Sequence, residues 1–217
     1  SSAASDVYKR QEINAYLQKG NANLGQLGFT DHSKAHCVQV AHQAGKILKR
    51  LGYSEHEIEL AKIAGYMHDI GNAINRTHHA EYGALLANDL LKETDMSLED
   101  RITVIAAIGN HDESTGSPED VVSAALIIAD KTDVRRSRVR QKESSAYDIH
   151  DRVNYAVTES KLKIEKDKSV LALNLQVDES ICSMYDYFEI FLDRMMLCRK
   201  SAEVLKTTFK LTVNGRK

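Results

Sequence analysis

"GYMHDIGN", residues 65–72, sets a histidine and an aspartate side by side inside a run that otherwise reads as core. Ile63, Ala64, Met67 and Ile70 surround His68 and Asp69 with apolar neighbours, and Gly71 can end a helix. Burying one such polar group without a partner costs roughly 1–3 kcal/mol, and more for a charge. Two readings stay open at this point. Either a capped helix ends on a hydrogen-bonded histidine, or His68 and Asp69 hold a metal ion.

Bulk composition narrows the class. The chain has 217 residues, 42% hydrophobic and 28% charged, which suits one main globular domain with an appendage. A formal net charge of −2 supplies no global field towards nucleic acid or membrane, so neither is expected as a partner. No apolar run approaches the ~20 residues that span a bilayer, and no signal peptide opens the sequence. Cys37, Cys182 and Cys198 are odd in number and far apart, and read as buried thiols of a reducing compartment. The expected location is the cytoplasm. Of nine histidines, eight lie between residues 32 and 111 and the ninth is His150, so the chemistry is expected in that window.

Outward from residues 65–72 the period is helical. Residues 1–11 are small and polar and are set aside as a disordered tail. A short helix is expected over Glu12 to Lys19, and GNANLGQLG reads as a glycine- and asparagine-rich loop. Further helices are expected over about 32–51, 55–70, 79–92, 97–110, 118–131 and 148–160, with Ser54 capping the second and Pro118 in the first turn of the fifth. Beyond residue 160 the period falls to two. Leu162 and Ile164 alternate with lysines, KDKS turns the chain, and Leu171, Leu173, Leu175 and Val177 alternate with smaller or polar residues. A long helix over about 179–206 and a last strand at Phe209, Leu211 and Val213 follow. Tyr185, Phe188 and Phe191 on that helix read as core between helix and sheet. The predicted architecture is mainly α: a helical domain over 12–160, then a 161–217 module of three antiparallel strands and one long helix.

His36, His68, Asp69 and Asp130 are polar residues set in core-like sequence on three separate predicted helices. Mutual compensation through a divalent cation removes the burial cost of each, and imidazole with carboxylate suits Mn, Fe, Co, Ni or Zn. His79 begins a helix and His111 ends one. If Asp69 bridges through both oxygens, a second ion takes Asp69, His79 and His111. Two ions ~3.5–4 Å apart are a device for hydrolysing phosphate esters. Matching the spacing to Gly83 and Ala84 favours His79 over His78.

The ordered set His36, His68-Asp69, Asp130, with "ADK" at the last aspartate, resembles the HD superfamily of metal-dependent phosphohydrolases over about residues 28–140. "HAEYGA" at His79 and "AAIGNH" at His111 resemble its dinuclear branch. The resemblance implies an HD-type helical bundle and hydrolysis of a nucleotide or other small phosphoester by a hydroxide bridging two ions. The same six ligands occur in relatives that are mixed-valent di-iron oxygenases, which is the alternative. Asn72 after the HDIG stretch and the lack of a GYP motif set the chain apart from cyclic-dinucleotide phosphodiesterases.

Substrate handling falls on neighbouring cations. His32, one turn before His36 and about 40° away if helical, resembles a residue that protonates the leaving oxygen. Lys131, Arg135 and Arg138 in "KTDVRRSRVR", with Arg76 after the HD helix, are placed to neutralise phosphate charge. Lys131 is also read as catalytic beside Asp69. Asp133 is read as an acceptor for a ligand histidine or a ribose. The partners this allows are a small phosphorylated molecule, nucleotides foremost, and a second copy in a homodimer.

Overall fold

Helix α7, Val121–Lys131, explains the bundle. Every side chain from Val122 to Ala129 is buried. A helix apolar all round needs neighbours all round, and α7 has them in α3 (Lys34–Arg50), α4 (Glu55–Met67), α6 (Leu98–Gly109) and α9 (Met184–Val204). The computed structural model describes residues 2–27, 32–134 and 149–216. Helix α5, His79–Leu91, flanks α6.

Local chemistry sets the helix ends. Ser54 accepts from the Glu57 amide while Glu57 reaches back to the Ser54 amide, a reciprocal cap that starts α4. Helix α7 starts later than expected, at Val121, because Asp120 caps it by accepting from the Ser123 amide at 2.8 Å. Glycine at 65 lets α4 lie directly on α3: a Cβ there would stand 2.8 Å from Ala41 Cα and 2.9 Å from Ala41 N. That approach brings His36 on α3 within reach of His68 at the end of α4.

The N-terminal expectations need correcting. Residues Ala3–Tyr8, expected as a disordered tail, form α1, begun by a Ser2–Ser5 capping box and anchored by buried Ala4 and Val7 against α4. Residues 20–27, expected as loop, belong to α2, Gln11–Leu27. Ile13, Leu17, Gly20 and Leu24 recur at helical spacing and are buried. Gly20 is there for contact, since a Cβ would stand 3.0 Å from Ala73 N. Packing of α2 on the 3₁₀ turn Ile70–Ala73 outweighs the poor helix propensity of Gly and Asn.

After α8 (Ile149–Ala156), β1 (Val157–Glu165) and β2 (Val170–Val177) form the expected hairpin, antiparallel with Leu162 opposite Leu173 and Ile164 opposite Leu171. The last strand, β3 (Thr208–Val213), pairs with β2 in parallel, Leu171 opposite Phe209 and Leu173 opposite Leu211, so the sheet is mixed rather than antiparallel. Alternation tells which face is buried but not strand direction. The 21-residue α9 carries the chain back to the start of its neighbour, the crossover that parallel pairing needs. Tyr187, Phe191 and Cys198 of α9 are buried, whereas Tyr185 and Phe188, expected as core, are 88% and 41% exposed.

Candidate metal centre

Six side chains from five places in the chain converge. His36 comes from α3, His68 and Asp69 from the end of α4, His79 from the first residue of α5, His111 from just beyond α6, and Asp130 from α7. Both nitrogens of each ring are accounted for. His68 Nδ1 donates to the Gly65 carbonyl at 2.6 Å, His111 Nδ1 to Ile108 at 2.6 Å, and His79 Nδ1 to Arg76 at 3.0 Å. His36 Nδ1 donates to the Asp133 carboxylate at 2.7 Å. A carbonyl or carboxylate can only accept, so each Nδ1 carries the proton and each Nε2 points inward with a lone pair.

Those lone pairs face other acceptors. His36 Nε2 stands 3.2 Å from Asp130 Oδ1 and 3.6 Å from Asp69 Oδ2. His68 Nε2 stands 3.2 Å from Asp69 Oδ2 and 3.3 Å from Asp130 Oδ1. The Nε2 atoms of His36 and His68 are buried and lack a hydrogen-bond partner of good geometry. His79 Nε2 and His111 Nε2 lie 3.2 Å apart, each 3.8 Å from Asp69 Oδ1. Acceptor facing acceptor is repulsive unless something positive lies between. Ligands ~2.1 Å from a shared ion stand ~3.0–3.4 Å apart, close to these spacings. The donor set therefore fits a divalent cation among His36, His68, Asp69 and Asp130, with His79 and His111 beside the other oxygen of Asp69. Donor atoms of His36, His68 and Asp130, and those of His68, Asp69 and His111, fall within 4.8 Å of one another.

Protonation follows the same logic. Burial opposes a charge on His68, but Asp69 and Asp130 outweigh it and push its pKa up to about 10. Burial would raise Asp69 and Asp130, yet His68 and His32 hold Asp69, and Lys131 and His68 hold Asp130, well below the usual carboxylate range. Burial, with Arg76 beside His79 and with His68 beside His111, pushes those two imidazoles down. With no ion bound, a second proton on His68 Nε2, between the two carboxylates, thus stands in for the charge a cation would bring, and an ion must displace it to reach that lone pair.

Around the six, the expected helpers are placed unevenly. His32 precedes α3 instead of lying on it; the Asn21 side chain of α2 accepts from its amide at 3.1 Å, and its Nδ1 donates to Asp69 Oδ2 at 2.7 Å. Arg76 donates to Asn72 Oδ1 at 3.1 Å at the edge of the site. Lys131 is buried, and its ammonium lies 2.7 Å from Glu113 Oε2 and 2.9 Å from Asp130 Oδ2. Arg135 and Arg138 lie outside the described residues. His78 is exposed and left-handed at φ 61°, turning its side chain out as His79 turns in. Glu113 and Arg194, 3.1 Å apart, were not singled out from sequence; they meet Lys131 only through the packing of α9 on α7.

Residues 34–135 match the family model of the HD domain. They are an HD domain. The chain is also 30% identical over 169 residues to the uncharacterized protein MJ1020 of Methanocaldococcus jannaschii, covering 67% of this chain and 64% of that one. It is 30% identical over 125 residues to the ribonuclease Y of Aster yellows witches'-broom phytoplasma, and 30% over 165 residues to that of Campylobacter hominis. Those matches take in 56% and 65% of this chain but only 21% and 30% of the ribonucleases. A predicted HD superfamily hydrolase from an uncultured Thermotogales bacterium superposes with a TM-score of 0.45 at 25% identity, over 58% of this chain and 68% of that one. The HD domain accounts for the helices that bear the converging side chains, from α3 to α7; α1, α2 and the sheet with α9 lie outside it.

Proposed function

We propose that this HD-domain protein is a metal-dependent phosphohydrolase acting on a nucleotide or another small phosphoester, with two divalent ions from among Fe, Mn, Co, Ni and Zn. The observation that carries the reading is the set of inward lone pairs, each fixed by a proton given away on the ring's other side. Similarity to proteins named ribonuclease Y supports hydrolysis of a phosphodiester. When bound, the ions would supply Lewis acidity at phosphoryl oxygens and acidify water. This chain's own residues do the rest. Asp69 spans the two positions, with His32 holding one of its oxygens. His32, bonded to Asp69 beside the centre, is assigned to protonate the leaving oxygen, while Arg76, with Arg135 and Arg138, draws in the phosphate. Lys131 acts through Asp130, whose outer oxygen it holds, more than as a clamp on substrate.

The test is metal analysis of the purified protein, then a screen of nucleotides, cyclic nucleotides and short RNA for phosphoester cleavage, with His68→Ala as control. Metal-dependent cleavage lost by at least a hundredfold in His68→Ala is expected, because both carboxylates then lose their shared imidazole. Equal release by wild type and His68→Ala on every substrate would reject the proposal. Oxygen uptake by the iron-loaded protein without phosphoester cleavage would instead favour the di-iron oxygenase reading.

A further inference from the structure

The outer face of α9 carries Tyr185, Phe188, Leu192 and Met196, 88%, 41%, 51% and 43% exposed. Steps of three and four residues keep all four within ~80° of one another around the helix. The opposite face already supplies the core with Tyr187, Phe191, Met195 and Cys198. The outer stripe is therefore surplus to folding, and contiguous large apolar side chains on one face mark a contact surface.

The charges beside the stripe are ordered. At 100° per residue, Glu189, Asp193 and Lys200 fall on one flank, about 60–100° from Leu192, with the acids nearer the N-terminus and the base nearer the C-terminus. All three are exposed and form no ion pair with a described residue. Arg199 falls on the other flank with Phe188. Two such faces related by a two-fold axis meet like flank to like flank with their ends exchanged. Lys200 of each copy then opposes Glu189 of the other, Asp193 lies beside the axis, Arg199 opposes the Phe188 ring, and Leu192 and Met196 meet at the centre. Parallel pairing would set like charges together. A membrane surface would want a basic collar, and this flank is led by acids.

We propose that α9 is a homodimer interface, pairing antiparallel with α9 of a second copy about an axis between Leu192 and Met196. The stripe is ~17 Å long, and one helix face is smaller than the ~800 Å² per partner of a standard interface, so the dimer is concentration-dependent rather than obligate.

Sedimentation of the full chain over about 1 to several hundred micromolar reads this directly. The wild type is expected to pass from monomer to dimer across that range. Leu192→Arg should raise the dissociation constant at least tenfold with unchanged thermal unfolding of the monomer, since the side chain is outside the core. Glu189→Lys and Lys200→Glu should each weaken association severalfold, and the double variant should recover a large part of the loss. Four results overturn the proposal: a monomer at every concentration, a dimer indifferent to Leu192→Arg, a double variant no better than either single one, or a monomer that binds anionic vesicles through Leu192. None depends on catalysis, so the proposed activity and this interface fail separately.

Discussion

At the scale of single residues, the centre is governed by where each imidazole leaves its proton. Three rings give it to main-chain carbonyls and one to a carboxylate, Asp133. The carboxylate adds a negative charge behind His36, which makes that ring a stronger donor to a cation. Asp133→Asn keeps the shape and removes the charge. The expected outcome is a 10- to 100-fold loss of metal affinity, measured by titration, with little change in fold. The convergence of His36, His68, Asp69 and Asp130 was readable from sequence because these residues interrupt apolar helices, and an interruption of that kind calls for a partner. His79 needed its spacing to Gly83 to be told from His78, and the left-handed backbone of His78 is the physical reason the two diverge. Glu113 could not be read in this way. It sits in a polar turn where a glutamate is unremarkable, and its burial is created by Lys131 and Arg194 arriving from distant parts of the chain.

Among elements, close contact between α3 and α4 sets the distance between His36 and His68, whose ring centroids lie 5.2 Å apart. Gly65 is the hinge of that contact, and it also supplies the carbonyl that orients His68. In Gly65→Ala two effects compete. Helix propensity favours alanine by about 1 kcal/mol, while forcing a methyl group against main-chain atoms of Ala41 costs about 1–3 kcal/mol. Backbone cannot rotate out of the way, so the steric term is expected to win. Denaturant unfolding should show a net loss of up to about 2 kcal/mol, and metal titration should show weakened binding as the two rings separate. Helix positions in this region were legible from period and caps. The turn-rich composition of residues 20–27 misled because propensity is local, whereas the Leu17 to Leu24 stripe obeys packing against residues fifty positions away. Direction of β3 was illegible for a related reason: parallel and antiparallel strands alternate alike.

For the molecule as a whole, the C-terminal module is joined to the HD domain by charge as well as by packing. Arg194 of α9, Glu113, Lys131 and Asp130 form a continuous line of alternating charge ending at the ligand set. Burial would raise the Glu113 carboxyl, but Lys131 and Arg194 hold it well below its ordinary value of 4.5. A depressed folded pKa means that the stabilisation is fully present above pH about 4.5 and is lost as pH falls through the lower folded value. Glu113→Gln should therefore cost about 3 kcal/mol near neutrality, where it leaves the buried Lys131 ammonium short of a counter-charge. The gap between wild type and variant should close as the solution is acidified, as thermal unfolding over a pH series would read. A chain cut before Met184 would retain all six converging side chains yet strip Glu113 of its guanidinium. Lys131 would then become Glu113's sole claimant and be drawn away from Asp130. Exchanging the module for another would accordingly retune the acidity of a pocket it never enters, as a counterweight trims a balance from the far arm.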